Sequence, residues 1–267
     1  MRKIISFISA VFVLSACAYG FSLNVDPSSL WLSAAPGESA SGSIIVENRG
    51  DEEITVRAYA EDWVYQADRS KAFKKPGSAK YSCSRWISIY PDSFKLGARE
   101  SKSVNYTVTS PLDSSGGYYS VIFFETQKES FNLVRKPNVI IAGRIGTIVY
   151  LDTKGRSEKK AVLENFLVSN AAYGKPMYFK LFLKNEGNTF VAPTGNIIIT
   201  DQDARLYARI DLKKNYLLQG EKVAIVEKWT NSLSAGTYDV IATIDYGAGA
   251  PISAQRRIVI NKESGKR

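Results

Sequence analysis

Few residues in this chain of 267 could carry catalysis. The absence of histidine excludes Ser-His-Asp and Cys-His catalysis, as well as ordinary histidine-ligated zinc. We expect Cys83, which has aromatic residues near it in sequence, to be a half-buried small residue and not a nucleophile. Asp201 and Asp203 could form a carboxylate pair or a weak calcium site, but Thr200–Asp203 has the composition of a turn. We therefore predict that the protein is not an enzyme, with no catalytic residue, no cofactor and no metal.

The stretch from Pro137 to Asp152, PNVIIAGRIGTIVYLD, could bind a partner instead of catalysing a reaction. Its β-branched residues favour a strand, and Gly143 and Gly146 suggest a bulge or a close backbone approach. Such an apolar strand is either buried between two neighbours or pairs its edge with an extended partner segment. In the second case Arg144, the only cation in the stretch, could donate charge-assisted hydrogen bonds to a carboxylate. The predicted partner-binding residues are Val139, Ile141, Arg144, Ile145, Ile148 and Tyr150.

The rest of the chain predicts an all-β protein. Short runs with period-two alternation recur between turn residues, and no long window after the N-terminus has the apolar periodicity of a helix. A polar run at 153–160 predicts a linker. Each half then has about seven short strands, which predicts two consecutive immunoglobulin-like β-sandwich domains. We place them at 21–152 and 161–261, followed by a basic tail at 262–267; one large sandwich or barrel is the alternative.

The two halves look like a diverged repeat. Asn48-Arg49-Gly50-Asp51 in the first half matches Asn185-Glu186-Gly187-Asn188 in the second. A later Gly-x-Tyr also recurs, and it predicts tyrosine corners at Tyr119 and Tyr238. The two motifs lie further apart in the first half, and we expect the extra residues in the irregular region 61–83.

The N-terminus has the features of an export signal, which we place at residues 1–20. Two cations precede an apolar run at 4–14, which is too short to span a bilayer. Small residues follow and allow cleavage to a soluble form, but Leu14-Ser15-Ala16-Cys17 also resembles a lipobox in which Cys17 would be lipidated. We favour the soluble form, because a first strand expected from Phe21 leaves only a short tether after Cys17.

The net charge of +9 would suit nucleic acid, an anionic envelope or an acidic partner. The export signal, and the lack of a dense Lys/Arg run with interleaved aromatic residues, argue against nucleic acid. We expect the periplasm or another extracytoplasmic envelope compartment, with membrane contact only through the candidate lipid anchor at Cys17.

Four segments of the first half follow a recognisable pattern: Leu23–Pro27, Ser43–Asp51, Tyr90–Glu100 and Arg144–Tyr150. In these segments the first half resembles the N-terminal domain of periplasmic pilus-assembly chaperones. The second half is similar instead to an immunoglobulin-like module of bacterial surface proteins, through Leu183–Asn188 and Pro193–Gly195.

Two positions depart from the chaperone pattern. The family has an arginine after an early Pro-Thr signature, where this chain has Ser28 and Ser29. It also has a lysine two residues after the arginine of its last strand, where this chain has Gly146. In the family these two cations anchor the terminal carboxylate of a subunit.

The resemblance implies a non-catalytic protein that pairs an edge strand of its first domain with an extended polypeptide, such as a subunit of a surface structure. The alternative is a structural or adhesive envelope lipoprotein with no chaperone role.

Overall fold

The computed structural model describes residues 23–127, 143–169 and 171–261, and the regular structure in these ranges consists of strands apart from one short 3-10 turn. The strands of the first half are β1 (Leu23–Asp26), β2 (Ser29–Ala34), β3 (Ser39–Asn48), β4 (Ile54–Tyr65), β5 (Lys71–Lys74), β6 (Ile87–Tyr90), β7 (Ser93–Leu96), β8 (Ser101–Thr109), β9 (Gly117–Gln127) and β10 (Arg144–Thr153). Those of the second half are β11 (Ala161–Ser169), β12 (Met177–Asn185), β13 (Thr194–Asp201), β14 (Leu206–Asp211), β15 (Lys222–Trp229), β16 (Gly236–Asp245) and β17 (Ile252–Ile260). A short 3-10 turn, Ser84–Trp86, precedes β6.

The first half forms a sandwich of two sheets. One sheet has the order β1-β3-β8-β6, and the other has the order β2-β10-β9-β4-β5 with β7 also on β4. Strand β8 shows why they pack, since Val104, Tyr106 and Val108 alternate with exposed or half-buried polar residues. The buried side chains meet those of the facing sheet, including Ile122 and Phe124 of β9, and form the core.

The second half forms a second sandwich with its own core. Its sheets have the orders β11-β12-β15 and β14-β13-β16-β17. Met177, Phe179 and Leu181 point inward from β12, and Ile197 faces them from β13. The predicted all-β class with two consecutive sandwiches is therefore confirmed. No helix in the described ranges is long and apolar enough to cross a membrane.

The predicted repeat is visible in two equivalent asparagines. Asn48 and Asn185 are both fully buried at the ends of β3 and β12. The Oδ1 atom of Asn48 accepts from the amide of Gly50 at 2.9 Å, and that of Asn185 accepts from the amide of Gly187 at 2.9 Å. Each Nδ2 donates to the carbonyl four residues further on, at 2.7 Å in both cases. Each asparagine thus stabilises one turn, because its side chain makes the hydrogen bonds that the backbone groups of the turn would otherwise make to water.

One of the two predicted tyrosine corners is confirmed and the other is wrong. The hydroxyl of Tyr238 donates to the carbonyl of Ser234 at 3.1 Å, as predicted. In the first half the hydroxyl of Tyr118 accepts from the amide of Ser115 at 3.2 Å, whereas Tyr119 bonds to Gln219 of the second half. The reason is the strand alternation, which turns Tyr118 toward the first core and Tyr119 away from it.

The region 61–83 contains β5, which forms a hairpin with β4, and a loop that is held by a buried carboxylate. Asp62 is fully buried and accepts from the hydroxyls of Ser82 and Ser84 and from the amide of Ala79. Burial by itself would raise the pKa of Asp62, but these hydrogen bonds outweigh it and lower the pKa below its ordinary value.

Candidate functional site

Strand β10 answers the question of whether the apolar stretch is central or at an edge, because its two ends differ. It pairs with β9 along its length, from Arg144 opposite Glu125 to Asp152 opposite Gly117. Strand β2 joins it on the other side only from Ile148, which lies opposite Ser29. From Ile148 onward, β10 is therefore a central strand, with β9 on one side and β2 on the other. Residues 144–147 have a strand neighbour on one side only within the described ranges.

The backbone groups at this open edge follow from the hydrogen-bond pattern. The carbonyl of Gly143 accepts from the amide of Thr126 on the β9 side at 3.0 Å, and the amide of Ile148 donates to Ser28 on the β2 side at 3.0 Å. Because successive residues alternate in direction, Arg144 and Gly146 direct their N–H and C=O groups to the β2 side. These two residues could pair with an added strand.

The structure separates the predicted partner-binding residues. Arg144 is exposed at the open edge, Ile145 is partly buried against the first core, and Ile148 is partly buried on the opposite face of the sheet. Tyr150 is only 3% exposed and belongs to an aromatic cluster between the two halves. Val139 and Ile141 lie outside the described residues, as does Cys17. The partner-binding role of all these positions stays a prediction.

Gly146 is explained by the packing around it. A Cβ atom built on Gly146 would lie 2.6 Å from Cγ2 of Val121 and 3.0 Å from Cε1 of Phe123. Glycine therefore lets the Phe123 ring lie across β10, an arrangement in which an aromatic ring covers a glycine of the paired strand. A lysine at this position, as in the chaperone pattern, would displace that ring.

Arg144 already has partners within the chain. Its guanidinium carbon lies 4.1 Å from the centroid of the Phe123 ring, and Nη1 donates to Glu61 Oε2 at 3.1 Å and to the hydroxyl of Tyr59 at 3.2 Å. Burial raises the pKa of Tyr59, whose hydroxyl donates to Glu125 at 3.0 Å. The open edge thus carries an aromatic and mixed-charge surface, which also includes Phe73 at 40% exposure. An external carboxylate at Arg144 would compete with Glu61.

Further along β10, where β2 pairs with it, an aromatic cluster joins the two halves. Trp31 stacks on Tyr150 with centroids 4.3 Å apart, and both rings contact Phe190 of the second half. A salt bridge of 2.9 Å links Arg69 to Glu221 close by. Sequence reasoning missed this cluster, since aromatic residues that far apart in the chain carry no local signal of contact.

The segment between the two sandwiches is also tied down. Asn188 Nδ2 donates to the carbonyl of Arg156 at 2.9 Å, and the Ser157 hydroxyl donates to Gly116 at 3.1 Å. Together with the aromatic cluster, these bonds hold the second half against the same sheet that carries the open edge.

The residues considered for catalysis are explained by structure. Cys83 is fully buried, not half-buried as predicted, and burial raises the pKa of its thiol to about 12. The Asp201 carboxylate accepts from the amides of Asp203 and Arg205 at 3.0 and 2.9 Å, which is the hydrogen bonding of the predicted turn. No group of three or more His, Cys, Asp or Glu residues that could hold a metal occurs in the described part of the chain.

Comparison with family models gives one match, at the N-terminus. Residues 1–18 match the model described as a prokaryotic membrane lipoprotein lipid attachment site. This match contains Cys17 and supports the lipobox alternative over the soluble form that we favoured. No curated protein matches the chain.

Comparison with solved structures finds fimbrial chaperones of similar length. A chain from a chaperone–tip adhesin complex of CFA/I fimbriae biogenesis has 13% identity and a TM-score of 0.49, and the match covers 87% of this chain and 98% of that one. The Escherichia coli chaperone DraB has 12% identity and a TM-score of 0.42, and the match covers 90% of this chain and 97% of that one. A chain of the CsuC–CsuE complex of Acinetobacter baumannii has 16% identity and a TM-score of 0.41, and the match covers 77% of this chain and 90% of that one. These proteins are of the class that the sequence motifs resemble, but at such identities and TM-scores they assign no function.

Proposed function

We propose that the protein is an exported, chaperone-like factor that binds an extended polypeptide by adding it as a strand beside residues 144–147. The observation that carries this proposal is the one-sided pairing of β10 before Ile148. An exposed edge supplies main-chain donors and acceptors to any extended segment, and the neighbouring side chains select among segments. The partner would be a subunit of a surface structure in the cell envelope.

The surroundings of the edge support a particular kind of segment. Phe123, Phe73 and Tyr59 lie on the outer face beside Arg144. A partner residue directed to this face would contact rings, so we expect large apolar side chains there. The ion pair between Arg144 and Glu61 would be kept and would border the bound strand.

A backbone substitution tests this proposal. Arg144→Pro removes the N–H that faces the open side and keeps the carbonyl of Gly143 on the β9 side, and proline is tolerated where the N–H of an edge strand faces away from the sheet. Arg144→Ala is the matched control, because it removes the same side chain and keeps the N–H. Loss of one backbone hydrogen bond with an unsatisfied acceptor costs about 1–3 kcal/mol, so binding should weaken about 5- to 150-fold for the proline variant.

The readout is quantitative mass spectrometry of polypeptides cross-linked to the full-length protein in its native envelope. We expect Arg144→Pro to lose them and Arg144→Ala to keep most of them, with unchanged melting temperatures. Equal retention by folded Arg144→Pro would contradict strand addition. Equal loss by both variants would instead assign binding to the side chain.

The second candidate, a structural or adhesive envelope lipoprotein, is favoured by the lipid attachment match at residues 1–18. A lipid anchor is compatible with either role. The candidates differ in the proline test, because a purely structural lipoprotein has no need of the open N–H at Arg144.

A further inference from the structure

The outer face of the sheet β11-β12-β15 combines lysines with exposed apolar side chains. Alternate residues of β12 and β15 point away from the core, and their register brings Tyr178 opposite Lys228 and Lys180 opposite Val226. Phe182 lies next to Lys180 on the same face of β12. We call this surface, formed by Tyr178, Lys180, Phe182, Val226 and Lys228, the basic face.

Neither of its two charges is neutralised by a carboxylate of the described residues. Lys180 Nζ lies 4.9 Å from the centroid of the Phe182 ring, and Lys228 Nζ lies 5.8 Å from that of Tyr178. Neither lysine makes an ion pair with a residue in the described ranges, although Lys184 and Lys222 on the same sheet pair with glutamates at 2.8 and 2.7 Å. A ring attracts a cation without cancelling its charge, so both ammonium groups remain available to an anion.

Apolar side chains surround these ammonium groups. Val226 is 58% exposed, Tyr178 is 39% exposed, and Leu167 of β11, opposite Lys180, is 44% exposed. The outer face of the opposite sheet differs, because Arg257 pairs with Asp239 at 2.9 Å and Arg209 with Asp211 at 3.2 Å. Both of these arginines are therefore neutralised by a carboxylate of their own sheet, whereas the two lysines of the basic face have no such partner in the described ranges.

We propose that the basic face binds the anionic surface of a phospholipid bilayer. Interfacial membrane contacts combine cations, which attract acidic headgroups, with apolar side chains that enter the headgroup region. The independent match of residues 1–18 to a lipid attachment site points to the same environment. Membrane attachment commonly uses a lipid together with a basic surface, and the basic face would supply the second element.

The test uses the mature chain without the export signal at residues 1–20, so that neither a lipid on Cys17 nor the apolar run at 4–14 contributes. Its partition onto vesicles is measured by sedimentation, with phosphatidylglycerol and phosphatidylethanolamine compared with phosphatidylcholine alone. Each lysine near an anionic surface contributes about fivefold to partition, so Lys180→Gln with Lys228→Gln should lower it by about 25-fold. Arg209→Gln with Arg257→Gln is the control, because it removes the same number of positive charges from the other sheet, where both are ion-paired, and should change partition less than twofold.

We also expect partition onto vesicles to fall as salt is added, because salt screens the lysines. Val226→Ser should lower the partition that remains at high salt, because it removes an apolar contact. The proposal is overturned if the mature chain does not bind acidic vesicles, if it binds phosphatidylcholine vesicles equally well, or if both double variants lose the same amount of partition. Binding of a soluble acidic protein at this face, without vesicle binding, would likewise overturn it. None of these results would bear on strand addition at Arg144.

Discussion

Replacing Gly146 by alanine should destabilise the first sandwich, although alanine usually stabilises a strand relative to glycine. The gain from reduced backbone freedom is about 0.5–1 kcal/mol. Against it stands a new Cβ atom 2.6 Å from Val121 Cγ2 and 3.0 Å from the Phe123 ring. Val121 is fully buried and Phe123 is 4% exposed, so neither can move away freely. Overpacking of this kind costs about 1–3 kcal/mol, so the net loss is about 1 kcal/mol at the middle of both ranges and at most about 2.5 kcal/mol.

Urea denaturation followed by tryptophan fluorescence measures this loss. Gly97→Ala is a matched control, because its Cβ would meet only the exposed carboxylate of Glu100 at 3.1 Å, and it should change the free energy of unfolding by less than about 0.5 kcal/mol. In a Val121→Ala background the nearest contact disappears, so Gly146→Ala should cost less there. If Gly146→Ala were as stable as the natural protein, the explanation of Gly146 by the Phe123 ring would be refuted.

Three other predictions concern buried polar groups. Asp62→Asn should cost about 2–3 kcal/mol at pH 7, because the carboxylate accepts three hydrogen bonds. Since the pKa of Asp62 in the folded protein lies below its ordinary value of 3.8, the stability that the carboxylate contributes is present above about pH 4 and is lost as the pH falls through the folded pKa. Urea denaturation at pH 7 and at pH 3 measures this loss. Asn48→Ala and Asn185→Ala should each cost about 2–4 kcal/mol, because each removes the side-chain acceptor of one turn amide and the donor to the carbonyl four residues further on, and calorimetry should show the loss in the sandwich that carries the change. Cys83, with a pKa of about 12, should react with a thiol reagent at pH 8 only after unfolding.

Each of these expectations can fail separately. Equal stability of Asp62→Asn and the natural protein at pH 7 would mean that the carboxylate does not hold the 77–84 loop. Loss of both sandwiches at once in either asparagine variant would mean that they unfold as one unit. Rapid labelling of the folded Cys17→Ser protein would place the Cys83 thiol in contact with solvent.

Much of the fold was predictable, because local patterns determine it. Period-two alternation between turn residues predicted about seven strands in each half, and the described residues of the second half form seven, β11 to β17. The Asn-x-Gly motifs predicted equivalent turns, since an asparagine followed two residues later by glycine can accept from that amide. The tyrosine corner of the first half was misassigned because two tyrosines adjoin there, and only the facing core decides which one points inward.

The candidate site was less predictable. The apolar stretch predicted a strand but not which part of it is an edge, because that depends on where β2 begins to pair, at Ser29. The sequence shows only that Gly146 stands where the chaperone family has a lysine. The role of this glycine depends on the ring of Phe123 in the paired strand. Arg144 was expected to serve an external carboxylate, and its bond to Glu61 comes from a strand more than 80 residues earlier in the chain.

The most direct test of the open edge is amide hydrogen exchange of the free protein, measured by NMR at residues 144–148. We predict that the amides of Arg144 and Gly146 exchange at least about 100-fold faster than that of Ile148, which donates to Ser28, and that they become protected when a partner strand binds. If the amides of Arg144 and Gly146 are as protected as that of Ile148 in the free protein, the edge is already paired and strand addition at this site is contradicted.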